Sequence, residues 1–454
     1  MSDTKRQFFG TDGIRGRANH YPLTPDFIVR LGQVVAELLL RRNECSVNCP
    51  SVVIGKDTRQ SGDMLEQAIA AGFNSRGVNT YFAGVVPTPA VAMLTRQCGA
   101  ILGVVISASH NPFEDNGIKF FGPDGFKFDD ALEVEIERSI LSDPDAYSGA
   151  IGRGYPLQNA AEDYVSFVRE GVGNDETLLE GLTIALDAAN GASHITSAAA
   201  FRSLGAKVIS FHDQPNGTNI NAHCGCTHTD VIEGLVKETG AHIGVSHDGD
   251  ADRALFCDEN GSALDGDEIL AIAAVHMIGE GSLKDNTLVA TVMSNAGLEE
   301  AVSQVGGQVV RAGVGDRYVL QKMKERGYNL GGEQSGHFIF LDHNTTGDGL
   351  VSALQLLRIM KETGKPLSEL RKVLTKSPQI QRNLRVKKKP ELQEMKAAAK
   401  VAEIERELGD GGRVLIRYSG TEPLLRILVE GRDNEQIKRK INELAAAIEE
   451  EIGV

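Results

Sequence analysis

Apolar runs broken by polar, glycine-framed loops recur along the chain in one repeated order. Residues 51–55 (SVVIG) form a continuous apolar run, followed by the polar loop KDTRQSG, a helical stretch around MLEQAIAAGFNSRG and a second run, VNTYFAG. Residues 182–186 (LTIAL) open the same series, with loop DAANGA, a small-residue helix reaching Leu204 and Gly205, then KVISF. Residues 287–292 (TLVATV) repeat it with MSNAG, LEEAVSQVG and QVVRAG. Continuous apolar strands joined by crossover helices indicate buried parallel strands in α/β layers. Glycine at each helix exit supplies a left-handed cap. Three matching series point to an internal repeat.

The pattern changes from about residue 377. A charge-rich stretch (RVKKKPELQEMKAAAKVAEIERELGDGG) leads to RVLIRYSGTEPLLRILVE and a closing amphipathic helix, NEQIKRKINELAAAIEEEI. Two strands around a loop, with a helix on either side, predict a small α+β domain. A chain of 454 residues exceeds one ordinary core. The expected domains are residues 1–155, 156–260, 261–375 and 376–454.

Composition narrows the function. Hydrophobic content of 41% and charged content of 24% suit a globular protein without long disorder. A net charge of −15 argues against nucleic-acid and membrane-surface roles, which need a basic footprint. A small anionic substrate remains open if positive charge is local to a pocket. The six cysteines (Cys45, Cys49, Cys98, Cys224, Cys226 and Cys257) are too sparse for a disulfide scaffold. The opening MSDTKRQFFGTDGIRG has no apolar signal core, and no apolar run approaches a membrane span, so a cytoplasmic protein with reduced thiols is expected. In AHCGCTH, His223, Cys224, Cys226 and His228 crowd together as for a soft metal. Their spacing is too tight for a two-knuckle zinc arrangement, so a structural loop is the expected reading.

In α/β sheets, ligands gather at the carboxyl ends of strands, and four loops there carry chemistry. Residues 105–112 (VISASHNP) offer Ser107, Ser109 and His110. A hydrolase serine sits in a G-x-S-x-G elbow with its histidine distant in sequence; neither holds here, and the residues alone leave open which serine acts. Residues 247–253 (HDGDADR) place Asp248, Asp250 and Asp252 at i, i+2 and i+4, able to converge on a hard cation such as Mg²⁺. Arg253 stands where an EF-hand needs glycine, and the flanks GVS and ALF look like strands. As a merely solvated acidic turn, three like charges beside apolar strands would repel without compensation. Residues 331–337 (GGEQSGH) present Glu333, Ser335 and His337 to a polyhydroxyl ligand. Residues 417–423 (RYSGTEP), with Arg426 following, combine two arginines with two hydroxyls and suit an anion.

Together with residues 10–16 (GTDGIRG), these loops in this order resemble the α-D-phosphohexomutase superfamily over essentially the full length. The resemblance implies an α/β fold of three similar α/β/α domains plus a smaller α+β C-terminal domain around a central cleft. It assigns a phosphoryl group to Ser109 and one Mg²⁺ per active site to Asp248, Asp250, Asp252 and that phosphoserine. Lys119 and His110 become candidates for proton handling, with Arg15 and Arg253 near the phosphoryl group. Glu333, Ser335 and His337 should hold the sugar, and Arg417, Ser419, Gly420, Thr421 and Arg426 the non-reacting phosphate.

The implied reaction interconverts glucosamine 6-phosphate and glucosamine 1-phosphate through a 1,6-bisphosphate intermediate of the glucose or glucosamine type. Such a reaction feeds UDP-N-acetylglucosamine and cell-wall synthesis. GTDGIRG and Gln334 favour the amino sugar; glucose and mannose phosphates, or a non-catalytic sugar-phosphate sensor, are the alternatives. The resemblance also suggests a homodimer and an activating kinase or other phosphoryl donor. Two departures from the family pattern are Ala251, where glycine is common, and Cys226, where serine is expected.

Overall fold

A computed structural model describes residues 6–10, 12–42, 49–142, 149–409, 412–418 and 423–453. The first repeat series lies in a six-stranded sheet made of β1 (Ile14–Arg17), β2 (Ser51–Lys56), β3 (Asn79–Val85), β4 (Leu102–Ile106), β5 (Asp115–Phe121) and β6 (Gly154–Pro156). Their spatial order is β1-β5-β4-β2-β3-β6. As the apolar runs predict, β2 is parallel to β3 and β4 and its interior is fully buried. β5 turns back antiparallel to β4 and so places its carboxyl end away from the other loops.

The second series gives β7 (Thr183–Asp187), β8 (Lys207–Phe211), β9 (Ile243–His247), β10 (Ala254–Asp258) and β11 (Ala263–Leu264) in the order β11-β10-β9-β7-β8. The third gives β12 (Thr287–Thr291), β13 (Gln308–Ala312), β14 (Leu330–Gly332) and β15 (Phe338–Phe340) in the order β13-β12-β14-β15. The strand pairs that open each series, β2 with β3, β7 with β8 and β12 with β13, are all parallel. After the intervening helix of each series a glycine takes positive φ: Gly77 at 79°, Gly205 at 93° and Gly306 at 81°. A side chain there would meet the left-handed penalty, so the repeat read from the sequence is a repeat of backbone geometry.

The C-terminal part differs from its sequence reading by one strand. β16 (Gln379–Arg385), β17 (Arg413–Tyr418) and β18 (Leu424–Glu430) form a sheet ordered β16-β18-β17, with helices Ala397–Leu408 and Asn434–Ile452 packed on it. β16 reads QIQRNLR and has one buried residue, Leu384. An edge strand so polar carries no apolar run, and pairing with β18 through seven residues supplies its stability instead.

A single core cluster runs through the first three sheets, joining Val53, Phe121, Tyr164, Phe201, Phe256 and Phe338. The C-terminal part keeps a core of its own around Leu384, Ile404, Leu425, Ile427, Leu444 and Ile448. Apolar burial at ~25 cal/mol per Å² therefore binds the first three layers to one another. The fourth is attached through polar contacts described below.

Candidate active site

The β4–β5 connection carries both serines, and hydrogen bonding separates them. Ser107 Oγ donates to Asp57 Oδ2 at 2.6 Å and accepts the Ser109 N–H at 2.9 Å, so it is consumed by the framework. Ser109 sits at φ 52°, in the left-handed region. That conformation is held from outside: Arg59 Nη2 and Asn221 Nδ2 each donate to the Ser109 carbonyl at 2.9 Å. Arg59, 2% exposed, also donates to the carbonyls of Asn111, Pro112 and Asp115, and Asp57 neutralises it at 2.9 Å. So braced, Ser109 Oγ donates to Asp248 Oδ2 at 2.5 Å. His110 Nδ1 lies 3.4 Å from the same oxygen. Burial, then Arg253 and Arg15, pull the His110 imidazole down to about 4, leaving it neutral near pH 7.

The turn between β9 and β10 is the aspartate loop. One carboxylate oxygen each of Asp248, Asp250 and Asp252 lies within 4.8 Å of the others, and all three residues are buried. Gly249 separates two of them because a Cβ there would stand 2.6 Å from the Ser109 carbonyl oxygen. Asp250 Oδ2 accepts from Thr88 Oγ1 at 2.6 Å and from Lys119 Nζ at 2.8 Å. Asp250 Oδ1 and Asp252 Oδ1 are buried without a hydrogen-bond partner. An unmade buried bond costs about 1–3 kcal/mol, more for a charge. Oxygen-only donors with unpaired buried atoms fit a hard divalent cation.

The charges around this loop are strongly shifted. Burial, then repulsion from Asp252 and Asp250, pushes the Asp248 carboxyl up to about 8. Burial works against ionisation of Asp252 too, yet Lys119 and His337 hold it well below the usual carboxylate range. Lys119 is 2% exposed and contacts Asp12 Oδ2 at 2.9 Å as well as Asp250. Burial disfavours its charge, but Asp12, Asp250 and Asp252 outweigh burial and raise it.

Over this floor opens a cavity of about 770 Å³, lined by residues from all four parts of the chain. Its lining includes Arg15, His110, Asp252 and Arg253 as well as Glu333, Ser335, His337, Arg417 and Arg426. Ser109, Lys119, Asp248 and Asp250 are buried under the wall rather than on it, linked to it by the bonds given above. Glu333 accepts the Gly315 N–H at 3.0 Å, and burial raises its carboxyl. His337 lies 3.6 Å from Asp252 and 3.6 Å from Asp316; burial opposes its charge, but Asp252 overcomes this and raises it. Arg417 and Arg426 are cross-strand partners on β17 and β18, and burial followed by repulsion from Arg426 lowers Arg417. Two like charges side by side invite an anion. Ser419, Gly420 and Thr421 lie outside the described residues.

Several residues here escape a reading by motif. Asp12 gathers Arg15 Nη2 at 2.5 Å, Lys119 Nζ at 2.9 Å and Lys127 Nζ at 2.5 Å, and Lys127 reaches on to Asp316. Asp12 stands inside GTDGIRG, so its signal was present; Lys127 and Asn221 carry none that spacing could reveal. Gln334 does not line the cavity: its Nε2 donates to Asp267 Oδ2 at 3.0 Å. In the AHCGCTH segment, Cys224 and Cys226 are buried free thiols. Cys224 comes near Asp187 and His212, but Asp187 already accepts from Ala189 N, His212 Nδ1 and Gly225 N. The segment braces the aspartate loop, with the Cys226 N–H donating to the His247 carbonyl at 2.9 Å. Among the described residues, no helix is long and apolar enough to cross a membrane.

The sequence matches the phosphoglucomutase/phosphomannomutase family in four pieces: alpha/beta/alpha domain I over residues 6–146, domain II over 162–261, domain III over 265–377 and the C-terminal domain over 382–447. A phosphoglucosamine mutase of Syntrophotalea carbinolica is 49% identical over 455 residues, covering 99% of each chain. One of Geotalea daltonii is 50% identical over 453 residues, again 99% of each. In fold, the chain superposes on a phosphoglucomutase/phosphomannomutase family protein of Burkholderia thailandensis with a TM-score of 0.81 at 22% identity, covering 98% of this chain and 99% of that one. It superposes on the Aspergillus fumigatus N-acetylphosphoglucosamine mutase, solved with GlcNAc-6P and magnesium, with a TM-score of 0.68 at 16% identity, covering 99% and 96%. Matched along nearly its whole length in sequence and in fold, the chain belongs to the phosphoglucosamine mutases of the phosphoglucomutase/phosphomannomutase family.

Proposed function

We propose that this enzyme interconverts glucosamine 6-phosphate and glucosamine 1-phosphate, with Ser109 as the phosphoryl carrier. The observation that carries the reading is Ser109 Oγ, 2.5 Å from Asp248, in a carboxylate cluster with unpaired buried oxygens beneath a cavity ringed by cations. The choice of sugar is supported by relatives that are phosphoglucosamine mutases at 48–50% identity over 99% of this chain.

Asp248, Asp250, Asp252 and the Ser109 oxygen are the residues that would hold a Mg²⁺ ion. Such an ion neutralises the phosphoserine beside three carboxylates and polarises the phosphorus. The chain's own groups then do the rest. Glu333, Ser335 and His337 hold the sugar, and Arg417 and Arg426 grip its non-reacting phosphate; Ser419, Gly420 and Thr421 belong to the same proposed cradle. The free sugar hydroxyl attacks phosphorus, a new P–O bond forms, and the bond from phosphorus to Ser109 Oγ breaks. Neutral His110 accepts the hydroxyl proton and stands 3.4 Å from the serine oxygen that must regain one. Lys119 is an ammonium and enters as a donor, while Arg15 and Arg253 offset charge on the moving phosphoryl group. The bisphosphorylated sugar turns over in the cavity and returns its other phosphate to Ser109. A kinase or a bisphosphorylated sugar must prime the serine before the first turnover.

Parallel assays on glucosamine, glucose and mannose phosphates, with Ser109→Ala as control, should show preference for the amino sugar; a clear preference for glucose 1-phosphate would overturn that assignment. Cation uptake should also depend on pH. With its carboxyl at about 8, Asp248 keeps its proton near pH 7 and must release it to bind a cation. Affinity for Mg²⁺ should therefore rise between about pH 6 and 8, with close to one proton released, read by calorimetry in buffers of different ionisation heat. Uptake that is flat across this window contradicts the assigned ligand.

A further inference from the structure

Strands β17 and β18 join two ends of the C-terminal part. Arg417 and Arg426 pair at the cavity end, and Arg413 and Glu430 pair four residues away, about 13 Å at roughly 3.3 Å per residue. At that far end, Arg413 donates to the carbonyls of Val292 at 2.8 Å and Ser294 at 2.5 Å. Glu430, 0% exposed, accepts the Ala296 N–H at 2.8 Å. The lever that carries the phosphate-gripping arginines is thus seated on the loop after β12. The segment leading into β16 is tied to the same loop. Asn295 Nδ2 donates to the Ser377 carbonyl at 2.9 Å and to Gln379 Oε1 at 3.2 Å, and its Oδ1 accepts the Ser377 N–H at 2.9 Å.

One carboxylate oxygen connects this seat to the sugar loop. Asp267 Oδ2 accepts the Asn295 N–H at 2.8 Å and Gln334 Nε2 at 3.0 Å. Gln334 stands between Glu333 and Ser335, two of the groups proposed to hold the sugar. There is no slack on either side of Asp267. A Cβ on Gly266 would come 2.2 Å from the Glu333 carbonyl oxygen, and one on Gly297 would come 2.2 Å from the Thr375 carbonyl oxygen. Interfaces packed this closely pass on small displacements rather than absorb them.

We propose that Asp267 is a positioning residue that couples occupancy of the sugar loop to the seating of Arg417 and Arg426. The proposal rests on the sugar-phosphate reading above. Sugar bound by Glu333 and Ser335 fixes Gln334; Gln334 fixes Asp267 Oδ2; that oxygen fixes Asn295 and the pad on which Arg413 and Glu430 rest. The C-terminal part has a separate core and is held here by polar contacts, so its orientation responds to this pad.

A double-mutant cycle tests it. Asp267→Ala, which removes the shared acceptor, should raise KM for the sugar phosphate about tenfold. It should leave unchanged the slow hydrolysis of phosphorylated Ser109 by water, which needs neither loop. In an Arg417→Ala background the Asp267→Ala change should add little, because the grip it positions is already lost. Multiplication of the two KM effects would overturn the coupling, and so would a fall in kcat at constant KM, the signature of less folded enzyme. Should Asp267→Ala fail to fold, Gln334→Ala releases the same bond from the other end and must show the same non-additivity. The cycle is read on whichever hexose phosphate the unaltered enzyme turns over fastest. A wrong assignment of the sugar then changes the assay substrate and leaves the test of the coupling intact.

Discussion

Ser109→Ala is expected to abolish mutase turnover, by about 10⁴-fold or more, the scale on which loss of a covalent nucleophile acts. No neighbour can take over. Ser107 Oγ is spent on Asp57 and the Ser109 N–H, and the Ser109 carbonyl is fixed by Arg59 and Asn221 whatever its side chain. The same bonds keep the loop in place in the variant, since serine and alanine face the same left-handed penalty. Its thermal midpoint should therefore stay within a few degrees of the parent, a shift equivalent to about 1 kcal/mol. The check is kcat on glucosamine 6-phosphate beside a thermal melt. Retention of about a tenth of the activity would remove Ser109 from the carrier role.

Lys119→Met carries the second large effect, and it divides between rate and stability. On the donor role proposed above, losing its ammonium should lower kcat about 10²–10³-fold. Stability is affected through the buried carboxylates. Lys119 sits 2.8 Å from Asp250 and 2.9 Å from Asp12, and removing one partner of a buried pair costs about 3–5 kcal/mol. The loss should be largest without a divalent cation and smaller with Mg²⁺, because the cation takes over neutralising Asp250 and Asp252. Thermal melts of the variant with and without Mg²⁺ read this directly. An equal deficit in both conditions would mean that the cation does not bind where Lys119 balances charge.

What the sequence disclosed follows from how each feature is encoded. The three α/β series were legible because buried parallel strands need unbroken apolar runs, and the glycines at 77, 205 and 306 mark the same backbone turn each time. β16 was hidden because an edge strand with one buried residue has no such run. The aspartate loop was legible since its three carboxylates lie within five residues. Asp12, Lys127 and Asp316, by contrast, meet only when the first and third parts pack together. The roles of the two serines depended on Asp57, Arg59 and Asn221, which come from other loops. The Gln334 side chain turned out to face Asp267 rather than the cavity. A glutamine in a glycine-framed loop does not announce which way it points.

The proposed mechanism requires a phosphoryl group that resides on Ser109 and passes from there to the sugar. Intact-mass and peptide-level mass spectrometry of the protein, after exposure to a hexose 1,6-bisphosphate and then to glucosamine 6-phosphate, tests it most directly. The expected result is one phosphoryl adduct, located on Ser109, which is lost when the acceptor sugar is added and never forms in Ser109→Ala. An adduct on another residue, or an active enzyme that never carries one on Ser109, would contradict it.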